Sequence, residues 1–552
     1  MGIITTIKEL ERLREIIDVL FEQEFGYFID KLQLRTHLLF HKRIDRKRFT
    51  KEYDASSMPV RLRISMEKLG GGFVKLGQLL SLRPDLISKE YVDEFSKLQD
   101  NVEEIPYEDV VNVIESEYGK KLSDVFLKFE RIAVASASVS QVHKAWLKNG
   151  KKVAVKVQRP NMERIFEQDI ALLNHLTNII EKHYPEIGLN FHRIVEEFES
   201  YSKRELDFNT EARNIDIFYN NFKDDRKVVI PRVYKEFTAK RVLVMDFIDG
   251  DKLSDIRDDI NFRRYKKNLV SMVVDSFLQQ VLVYSTFHAD LHPGNIMSVK
   301  NHQVALLDFG IIGHISHDSK EKIENLFLGL TTGNRVILAN SLIELGFVDT
   351  DININEFKND LSERLNVYYD SELKTINISN VLYDLLELTK KYNIRLPSSF
   401  ILLIKAVITT EGFAKEFYPE YNYLNSWKKH AKRIIRKRKR PDYILKSFRD
   451  NAIDFRNFFV NLPDNIKNVI NSRSNHKIKL DQGDIKNIEN SLNRTITRIA
   501  YGIIIAALII GSTILSVKET KYMIYGFPLI SAIFLISAII LFLILIISRK
   551  EV

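Results

Sequence analysis

The sequence has 552 residues, of which 45% are hydrophobic and 28% are charged, and its formal net charge is +9. These proportions are those of a folded protein with a sizeable core, and the length leaves room for two or more compact units. The absence of cysteine excludes disulfides, thiolate nucleophiles and cysteine-bound zinc. The 13 histidines include no His-Glu-x-x-His metalloprotease helix, so a bound metal should be a hard cation held by oxygen.

The first part of the chain has the apolar periodicity of helices. Apolar residues recur at helical spacing among charged ones from Thr5 to about Lys47. The glycine run 70–72 interrupts the helical pattern, which then resumes to about Gln99. Pro106 opens another short predicted helix. We therefore predict an N-terminal helical region at 1–54 and a helical extension at 55–119.

Strand patterns then replace helical ones, from Phe126 to Val157. Asn149-Gly150 separates two apolar alternations, which is a strong β-hairpin signal. The later predicted elements are helices at 162–182 and 190–221, strands at 228–233 and 241–247, and mostly helix from 251 to 418. This order predicts an α+β, two-lobed fold, with a small lobe at 120–248, a hinge near 245–248 and a helical large lobe at 249–424.

Three segments contain the side chains that a phosphoryl-transfer site needs. Lys156 follows the apolar residues of a predicted strand, Asp290 and Asn295 lie five residues apart in one loop, and Asp308 follows the apolar strand at 304–307. Protein kinases hold ATP and magnesium with such a lysine, a loop Asp and Asn, and a second Asp. The sequence therefore predicts that Lys156 contacts the ATP phosphates, that Asp290 orients or deprotonates the attacking group, and that Asn295 and Asp308 bind Mg²⁺.

Four features make the chain resemble the UbiB/ADCK family of atypical kinases over roughly residues 56–423. They are the KxGQ motif Lys75-Leu76-Gly77-Gln78, the alanine-rich segment Val134-Ala135-Ser136-Ala137-Ser138-Val139-Ser140-Gln141-Val142, the ExD motif Glu205-Leu206-Asp207, and the loop His288–Asn295 followed by Asp308-Phe309-Gly310. Their order and local context agree with the predicted lobes. The resemblance implies a protein-kinase-like fold that binds an adenine nucleotide and Mg²⁺.

The resemblance also assigns roles to the motifs outside the kinase core. It implies that residues 134–142 form the nucleotide-binding loop and, without a Gly-x-Gly, damp phosphorylation of other molecules. It places Lys75, Gln78, Glu205 and Asp207 beside the nucleotide, where they would gate or complete the magnesium site. A structural salt bridge between the extension and the small lobe is the alternative.

Two helical glutamates compete for the Lys156 amine. Glu211 is the candidate that would hold Lys156 extended, as the corresponding helix glutamate does in kinases. Glu205 is the competing partner, in which case Glu211 would be a solvated helical residue. His288 and His292 are predicted to fix the catalytic loop through hydrogen bonds.

Two differences from ordinary protein kinases limit the reactions that we expect of this chain. No arginine lies beside Asp290 to bind a phosphate on an activation loop, and no Ala-Pro-Glu segment follows Gly310. We therefore expect ATP hydrolysis or phosphorylation of a small or lipidic molecule. The resemblance implies support of isoprenoid-quinone (ubiquinone-type) biosynthesis, with a quinone precursor as substrate and quinone-biosynthesis enzymes as partners. A true protein kinase and a nucleotide-sensing pseudokinase scaffold are the alternatives.

The C-terminal sequence predicts attachment to a membrane. Residues 499–517 and 522–547 are nearly all apolar, which predicts a two-helix transmembrane hairpin at 499–548. A pair of buried core helices is the alternative. The preceding linker, 425–498, begins with a basic stretch at 428–440 that suits anionic headgroups, and nucleic acid is its less favoured ligand. Basic residues outside both apolar runs favour a multi-pass protein of the cell membrane, with its kinase-like part facing the cytoplasm.

Overall fold

The computed structural model describes residues 7–23, 25, 58–98, 104–183, 191–256, 265–299, 303–348, 353–369, 377–438, 501–514, 523–524 and 527–547. These residues belong to two compact units, 1–440 and 441–552. The six segments predicted from the sequence divide the chain more finely, and their boundaries stay predictions.

The first unit begins with the helices of the extension. They are α1 (Ile7–Glu22), α2 (Met58–Leu69), α3 (Gly71–Ser81), α4 (Lys89–Phe95), α5 (Tyr107–Tyr118) and α6 (Leu122–Val125). Helix α1 buries Leu13, Ile16 and Ile17 against α3 and the later helix α7 (Met162–His183). The predicted helix at 5–47 is observed only as α1, because residues 26–57 lie outside the described part. Helix α5 follows Pro106, as predicted.

A four-stranded antiparallel sheet forms the small lobe. Its strands are β1 (Phe126–Ser136), β2 (Ser140–Leu147), β3 (Lys152–Gln158) and β5 (Val242–Asp246), in spatial order β1-β2-β3-β5. Gly150 adopts a φ of 80° between β2 and β3, which confirms the predicted hairpin. Alternate β3 residues, Val153, Val155 and Val157, are fully buried with α5. Lys156 lies between two of these valines along the strand, so its side chain lies on the other face of the sheet.

The predicted helix at 190–221 is wrong as one element. It is two helices, α8 (Phe191–Glu205) and α9 (Phe208–Phe222), because Asp207 leaves helical conformation and caps α9 with its side chain. The predicted strand at 228–233 is also shorter than expected. Within it, β4 (Val228–Val229) pairs in parallel with β9 (Gln303–Leu306), and Val233 forms one isolated antiparallel bridge with Met245.

The large lobe is mostly helical and has short strands at the end that faces the small lobe. Its helices are α10 (Lys266–Gln279), α11 (His317–Thr332), α12 (Arg335–Leu345), α13 (Ile354–Tyr369), α14 (Ile378–Lys391), α15 (Ser398–Phe417) and α16 (Tyr423–Arg438). Its other strands are β6 (Gly250–Lys252), β7 (Thr286–His288), β8 (Ile296–Val299), β10 (Ile312–His314), β11 (Phe347–Val348) and β12 (Ile394–Arg395). Strands β11 and β12 pair only with each other in the described part of the chain, whereas the order β4-β9-β8-β6 and the pair β7-β10 carry the loops of the candidate site. The predicted α+β, kinase-like architecture is confirmed.

The second unit contains a helix at 501–514 (α17), the strands β13 (Met523–Ile524) and β14 (Phe527–Pro528), and the helix α18 (Leu529–Ile547). Ser512 and Ser531 are buried between α17 and α18, where the Ser512 hydroxyl donates to the carbonyl of Ser531 at 2.9 Å. Within the described residues, no helix combines the length and apolar character that a bilayer crossing requires. The predicted transmembrane hairpin is therefore not confirmed, and residues 499–500, 515–522, 525–526 and 548 of its predicted span lie outside the described part.

Candidate active site

The candidate site is built around an ion pair between strand β3 and helix α9. The Nζ atom of Lys156 lies 2.9 Å from Oε1 and 2.8 Å from Oε2 of Glu211. Lys156 stands within the sheet, opposite Val142 of β2 and Leu243 of β5, and Glu211 lies in the first turn of α9. The sequence left Glu205 and Glu211 as competing partners for Lys156. The structure pairs Lys156 with Glu211.

Asp308 is the third charged group of this cluster, with Oδ2 at 3.7 Å from Nζ of Lys156. Burial lowers the pKa of Lys156, but the carboxylates of Asp308 and Glu211 outweigh burial and raise that pKa above its ordinary value. Burial raises the pKa of Glu211 to about 7, against the opposing effect of Lys156. Burial also opposes the charge of Asp308, yet Lys156 and the N–H of Gly310 hold its pKa below its ordinary value. Lys156 and Asp308 are therefore both charged at neutral pH.

The backbone at Asp308 is held in an uncommon conformation. Its φ is 51°, in the left-handed region that residues other than glycine seldom adopt. The Gly310 N–H donates to Oδ1 of Asp308 at 3.1 Å, and Nδ2 of Asn214 donates to the carbonyl of Phe309 at 2.8 Å. The buried Phe309 ring packs on His288, with ring centroids 5.2 Å apart. These contacts fix the Asp308 carboxylate toward Lys156.

Two histidines hold the catalytic loop, as the sequence predicts. Nε2 of His288 lies 3.0 Å from the carbonyl of Leu307, and Nδ1 of His288 accepts the Asp290 N–H at 3.1 Å. Burial lowers the pKa of His288, which favours this neutral tautomer. Nδ1 of His292 accepts the Gly294 N–H at 3.1 Å. The Asp290 carboxylate is about one third exposed, with Nε2 of His292 at 3.7 Å.

The β8–β9 hairpin brings the two predicted magnesium ligands side by side. Ile296 pairs with Leu306, so Asn295 directly precedes one strand and Asp308 closely follows the other at the same end. The N–H of Leu307 donates to the carbonyl of Asn295 at 2.9 Å and continues the pairing past the strand end. The hairpin thus converts two residues that are 13 positions apart into neighbours.

The donor atoms at this end of the hairpin suit magnesium. Nδ2 of Asn295 donates to the carbonyl of Asp290 at 3.2 Å, which leaves its amide oxygen as the atom for a cation. Asp308 supplies a carboxylate. Magnesium is usually bound through one or two carboxylates together with substrate phosphates, so Asn295 and Asp308 fit an ion that arrives with a nucleotide. Within the described residues, no three His, Asp or Glu side chains form a metal-binding group on their own.

The alanine-rich segment connects β1 and β2 through a tight turn braced by Arg159. The Ala137 N–H donates to the carbonyl of Ser140 at 2.7 Å. Nε of Arg159 donates to the carbonyl of Ala137 at 2.8 Å, and its Nη2 donates to the Ser136 hydroxyl at 2.7 Å. Arg159 comes directly after β3, so it ties the loop to the strand that carries Lys156. The sequence did not identify this residue.

The KxGQ motif reaches the site through its lysine. Nζ of Lys75 lies 3.0 Å from Oε1 of Glu205, and the Lys75 side chain is 5% exposed. Nε2 of Gln78 donates to the carbonyl of Leu98 at 3.2 Å, within the extension. Glu205 also borders a small cavity lined by Val139, Lys156, Arg204, Glu205, Phe208, Glu211 and Gly310. The extension is therefore in contact with the candidate site, while its predicted gating role stays a prediction.

Helix α3, which carries the motif, is anchored by a buried carboxylate of α7. Asp169 is fully buried, and its Oδ2 accepts the Gly72 N–H at 2.9 Å. Nε of Arg12 in α1 donates to Oδ1 of Asp169 at 2.9 Å. A Cβ at Gly72 would lie 2.6 Å from Oδ2 of Asp169, which explains a glycine at this position. Neither Asp169 nor Arg12 was identified from the sequence.

Two predicted binding residues use their polar atoms within the protein. Oε1 of Gln141 accepts the Ile105 N–H at 2.8 Å, and its Nε2 lies 3.0 Å from Nε2 of His143. Oδ1 of Asp207 accepts the Asn209 N–H at 3.1 Å as the cap of α9. Their geometry favours structural roles over the predicted contacts with the nucleotide and the metal.

Comparisons with known proteins give consistent matches along the chain. Residues 97–342 match the ABC1 atypical kinase-like domain, 361–422 the UbiB helical domain, and 483–549 the ABC1/UbiB kinase-like C-terminal domain. The chain is 32% identical to a probable protein kinase UbiB of Marinobacter nauticus over 401 residues, which are 71% of this chain and 72% of that protein. It is also 32% identical to the chloroplastic protein ACTIVITY OF BC1 COMPLEX KINASE 1 of Arabidopsis thaliana, over 79% of this chain and 64% of that protein. A solved structure, the Rv3197–erythromycin complex from Mycobacterium tuberculosis, has a TM-score of 0.44 at 20% identity, covering 65% of this chain and 94% of that one.

Proposed function

The chain belongs to the ABC1/UbiB family of atypical kinase-like proteins, and on that premise we propose that it is a magnesium-dependent enzyme that transfers or hydrolyses the γ-phosphoryl group of ATP. The observation that carries the proposal is the position of the Lys156 amine, 2.8 Å from Glu211 and 3.7 Å from Asp308. A nucleoside triphosphate with its metal needs a positively charged side chain close to an Asp and an Asn. Lys156, Asp308 and Asn295 provide this arrangement.

Each polar group has a distinct task in this mechanism. Lys156 binds the nucleotide phosphates, and Glu211 holds the lysine extended. Asn295 and Asp308 would hold a magnesium ion, which would supply positive charge to the phosphate oxygens. Asp290 accepts the proton of the attacking hydroxyl or water while the new oxygen–phosphorus bond forms and the bond to the β–γ bridging oxygen breaks.

Measured ATP turnover tests this assignment. Asp290→Asn and Asp308→Asn are each expected to lower turnover by at least about tenfold, because each removes a charge from the reacting centre. Asp318→Asn, at an exposed position in the first turn of α11, is the matched control and should leave turnover unchanged. Equal turnover in the native protein and in both site variants would refute the catalytic proposal.

The acceptor proposed here is water or a small or lipidic molecule, rather than a general protein substrate. No arginine precedes Asp290, and the chain passes from Gly310 through the short strand β10 into α11, without the Ala-Pro-Glu segment of ordinary protein kinases. Lys75 of the extension also occupies the border of the site through Glu205. Phosphorylation of a peptide panel at ordinary kinase rates would instead favour the protein-kinase alternative.

Contact with a lipid bilayer is the second part of the proposal. In the C-terminal unit the polar Ser512 and Ser531 face each other, whereas Ile510 and Ile514 are 60% and 64% exposed. Hydroxyls turned inward and isoleucines turned outward are typical of helix pairs in a lipid environment. We expect the protein to remain with membranes after washing at pH 11 and in high salt. Release by either wash would contradict this part of the proposal.

Helix α16 supports a membrane-facing role for the first unit. One side of α16 buries Trp427, Ala431 and Ile434 in the large lobe. The other side exposes Lys429, Lys432, Arg433 and Arg436 together with Ile435. Basic side chains around an exposed apolar one suit a surface of anionic headgroups, as the sequence predicted for this stretch.

The UbiB name of the relatives suggests isoprenoid-quinone biosynthesis as the process that this activity supports. Vesicles with anionic lipid, or a phenol that resembles a quinone precursor, should then raise the rate of ATP hydrolysis. Neutral vesicles and an aliphatic alcohol of similar size are the controls. A rate that none of these additions changes would leave the phosphoryl-transfer proposal intact but remove the link to lipids and quinones.

A further inference from the structure

The large lobe contains a buried lysine whose charge the mechanism has not used. Lys405 lies in α15 and is 9% exposed, and among the described residues its amine has no hydrogen-bond or ion-pair partner. The other buried charge of α15 is Glu411, which accepts the N–H groups of Ile378 and Ser379 and pairs with Lys415 at 2.9 Å. A lysine whose side chain is mostly buried and whose amine has no partner is costly to keep charged, so this position suits an anionic ligand.

The fold places helix α15, which carries Lys405, next to the catalytic loop. Helix α15 packs on β10, which pairs with β7, and β7 leads directly into the loop that contains Asp290. Burial lowers the pKa of Lys405, while the carboxylates of Asp290 and Asp93 oppose that effect. Asp93 belongs to α4 of the extension, whose Lys89 amine lies 5.2 Å from the ring centroid of Tyr383 in α14. Lys405 therefore lies where the large lobe, the catalytic loop and the extension meet.

Phosphoryl transfer needs positively charged groups beside the transferred phosphoryl group as well as beside the other phosphates. Lys156 is paired with Glu211 on the small-lobe side. His292, two residues after Asp290 in the loop, uses Nδ1 to accept the Gly294 N–H. A lysine that approaches Asp290 from the large lobe would meet the γ-phosphoryl group at the point where the acceptor attacks.

We infer that Lys405 is a further phosphate-binding residue, which contacts the γ-phosphoryl group of ATP beside Asp290. This inference rests on the proposed phosphoryl-transfer function. In the reaction, the acceptor oxygen bonds to the γ-phosphorus as its proton moves to Asp290 and the bond to the β–γ bridging oxygen breaks, while Lys405 stays paired with the oxygens of the transferred group. In the free protein the charge of Asp93 favours the protonated amine, and we expect the γ-phosphoryl group to compete with it.

The test compares two nucleotides that differ only by a γ-phosphate-like group. Calorimetry would measure the affinity of the full-length protein for magnesium AMP-PNP and for magnesium ADP. Lys405→Met should weaken AMP-PNP binding about tenfold and change ADP binding less than about twofold, whereas Lys405→Arg should retain most of the preference for AMP-PNP. Lys415→Met, the same change ten residues later on the same helix, should alter neither affinity.

Equal loss of both nucleotides in Lys405→Met, or no loss of either, would overturn the inference. Asp93→Asn, at an exposed position, keeps the test decisive even if Lys405→Met does not fold. It removes a competing carboxylate and should tighten AMP-PNP binding about threefold without changing ADP binding, and unchanged affinities for both would count against Lys405. If the native protein bound neither nucleotide, the proposed function itself would fail.

Discussion

The amine of Lys75 lies 3.0 Å from Oε1 of Glu205, and this contact joins the KxGQ helix of the extension to the last residue of α8. Glu205 is followed by the break that ends α8, and Asp207 then caps α9, which carries Glu211. The two ion pairs, Lys75–Glu205 and Lys156–Glu211, therefore lie at the two sides of one interruption between helices. The position of the extension is thereby coupled to the helix whose Glu211 pairs with Lys156.

Loss of one partner of the Lys75–Glu205 pair should destabilise the protein strongly. Glu205→Gln removes the negative charge from the pair with the buried Lys75 amine, and breaking a buried pair costs roughly 3 kcal/mol or more in the free energy of unfolding. Urea unfolding of Lys75→Met, Glu205→Gln and the double variant would measure the coupling, which we expect to be about 1–3 kcal/mol. Lys68→Met, which removes an exposed pair with Glu22 at 2.8 Å, is the control and should have little effect. Additive effects of the two site variants would contradict this prediction.

Glu211→Gln should weaken the use of ATP. The neutral amide no longer holds Lys156 by charge, so the KM for ATP should rise about tenfold, which corresponds to about 1.4 kcal/mol of binding. Steady-state turnover over a range of ATP concentrations measures this change. Glu163→Gln removes an exposed small-lobe pair with Lys240 and should leave KM unchanged. The same KM in both variants would mean that Glu211 does not position the lysine.

Asn295→Ala should shift the dependence on magnesium. The variant loses an amide oxygen at the end of the β8–β9 hairpin, so about tenfold more Mg²⁺ should be needed for half-maximal turnover at fixed ATP. Asn295→Asp restores an oxygen ligand and should recover much of the magnesium affinity. Asn220→Ala, at an exposed position of α9, is the control. A magnesium titration that is identical for Asn295→Ala and the native protein would exclude Asn295 as a ligand.

The stability of the small lobe should fall in mild acid because of His143. Burial lowers the pKa of His143, whose Nδ1 lies 2.9 Å from the carbonyl of Glu130 and whose Nε2 lies 3.0 Å from Gln141. The unfolded chain binds a proton near pH 6.5 and the folded protein binds it only at lower pH. The stabilising effect of the neutral ring is therefore present above pH 6.5 and is lost as the pH falls below it. Urea midpoints at pH 7.5 and 5.5 should differ less in His143→Gln than in the native protein, whereas the exposed His317→Gln should retain the native difference. An unchanged difference in His143→Gln would contradict this prediction.

The sequence was sufficient to predict those parts of the fold and of the site that depend on neighbouring residues. Lys156, Asp290, Asn295 and Asp308 each lie in a short segment whose strand or loop character follows from its own residues, and the Asn149-Gly150 hairpin is equally local. The architecture then brings these segments together. The sequence could not decide between Glu205 and Glu211, because apolar periodicity continues across residues 206–207 and hides the break between α8 and α9.

Residues that act through distant contacts escaped sequence analysis. Asp169 is 157 positions from Arg12 and 97 from Gly72, and on its own helix it reads as an ordinary charged residue. Arg159 follows β3 like any surface arginine, yet it donates a hydrogen bond to the carbonyl of Ala137 in the alanine-rich segment. Lys405 lies in an apolar helix where its own neighbours give no indication of Asp290. Such partners are defined by tertiary packing, and no spacing along the chain encodes them.

Calorimetric titration of ATP into the full-length protein, with and without magnesium, tests most directly whether Lys156 and Asp308 form a nucleotide site. We expect that ATP binds, that magnesium strengthens binding, and that Lys156→Met and Asp308→Asn each weaken magnesium-ATP binding by about tenfold or more. Absence of ATP binding in the presence of magnesium, or an affinity that neither substitution changes, would refute the proposed site.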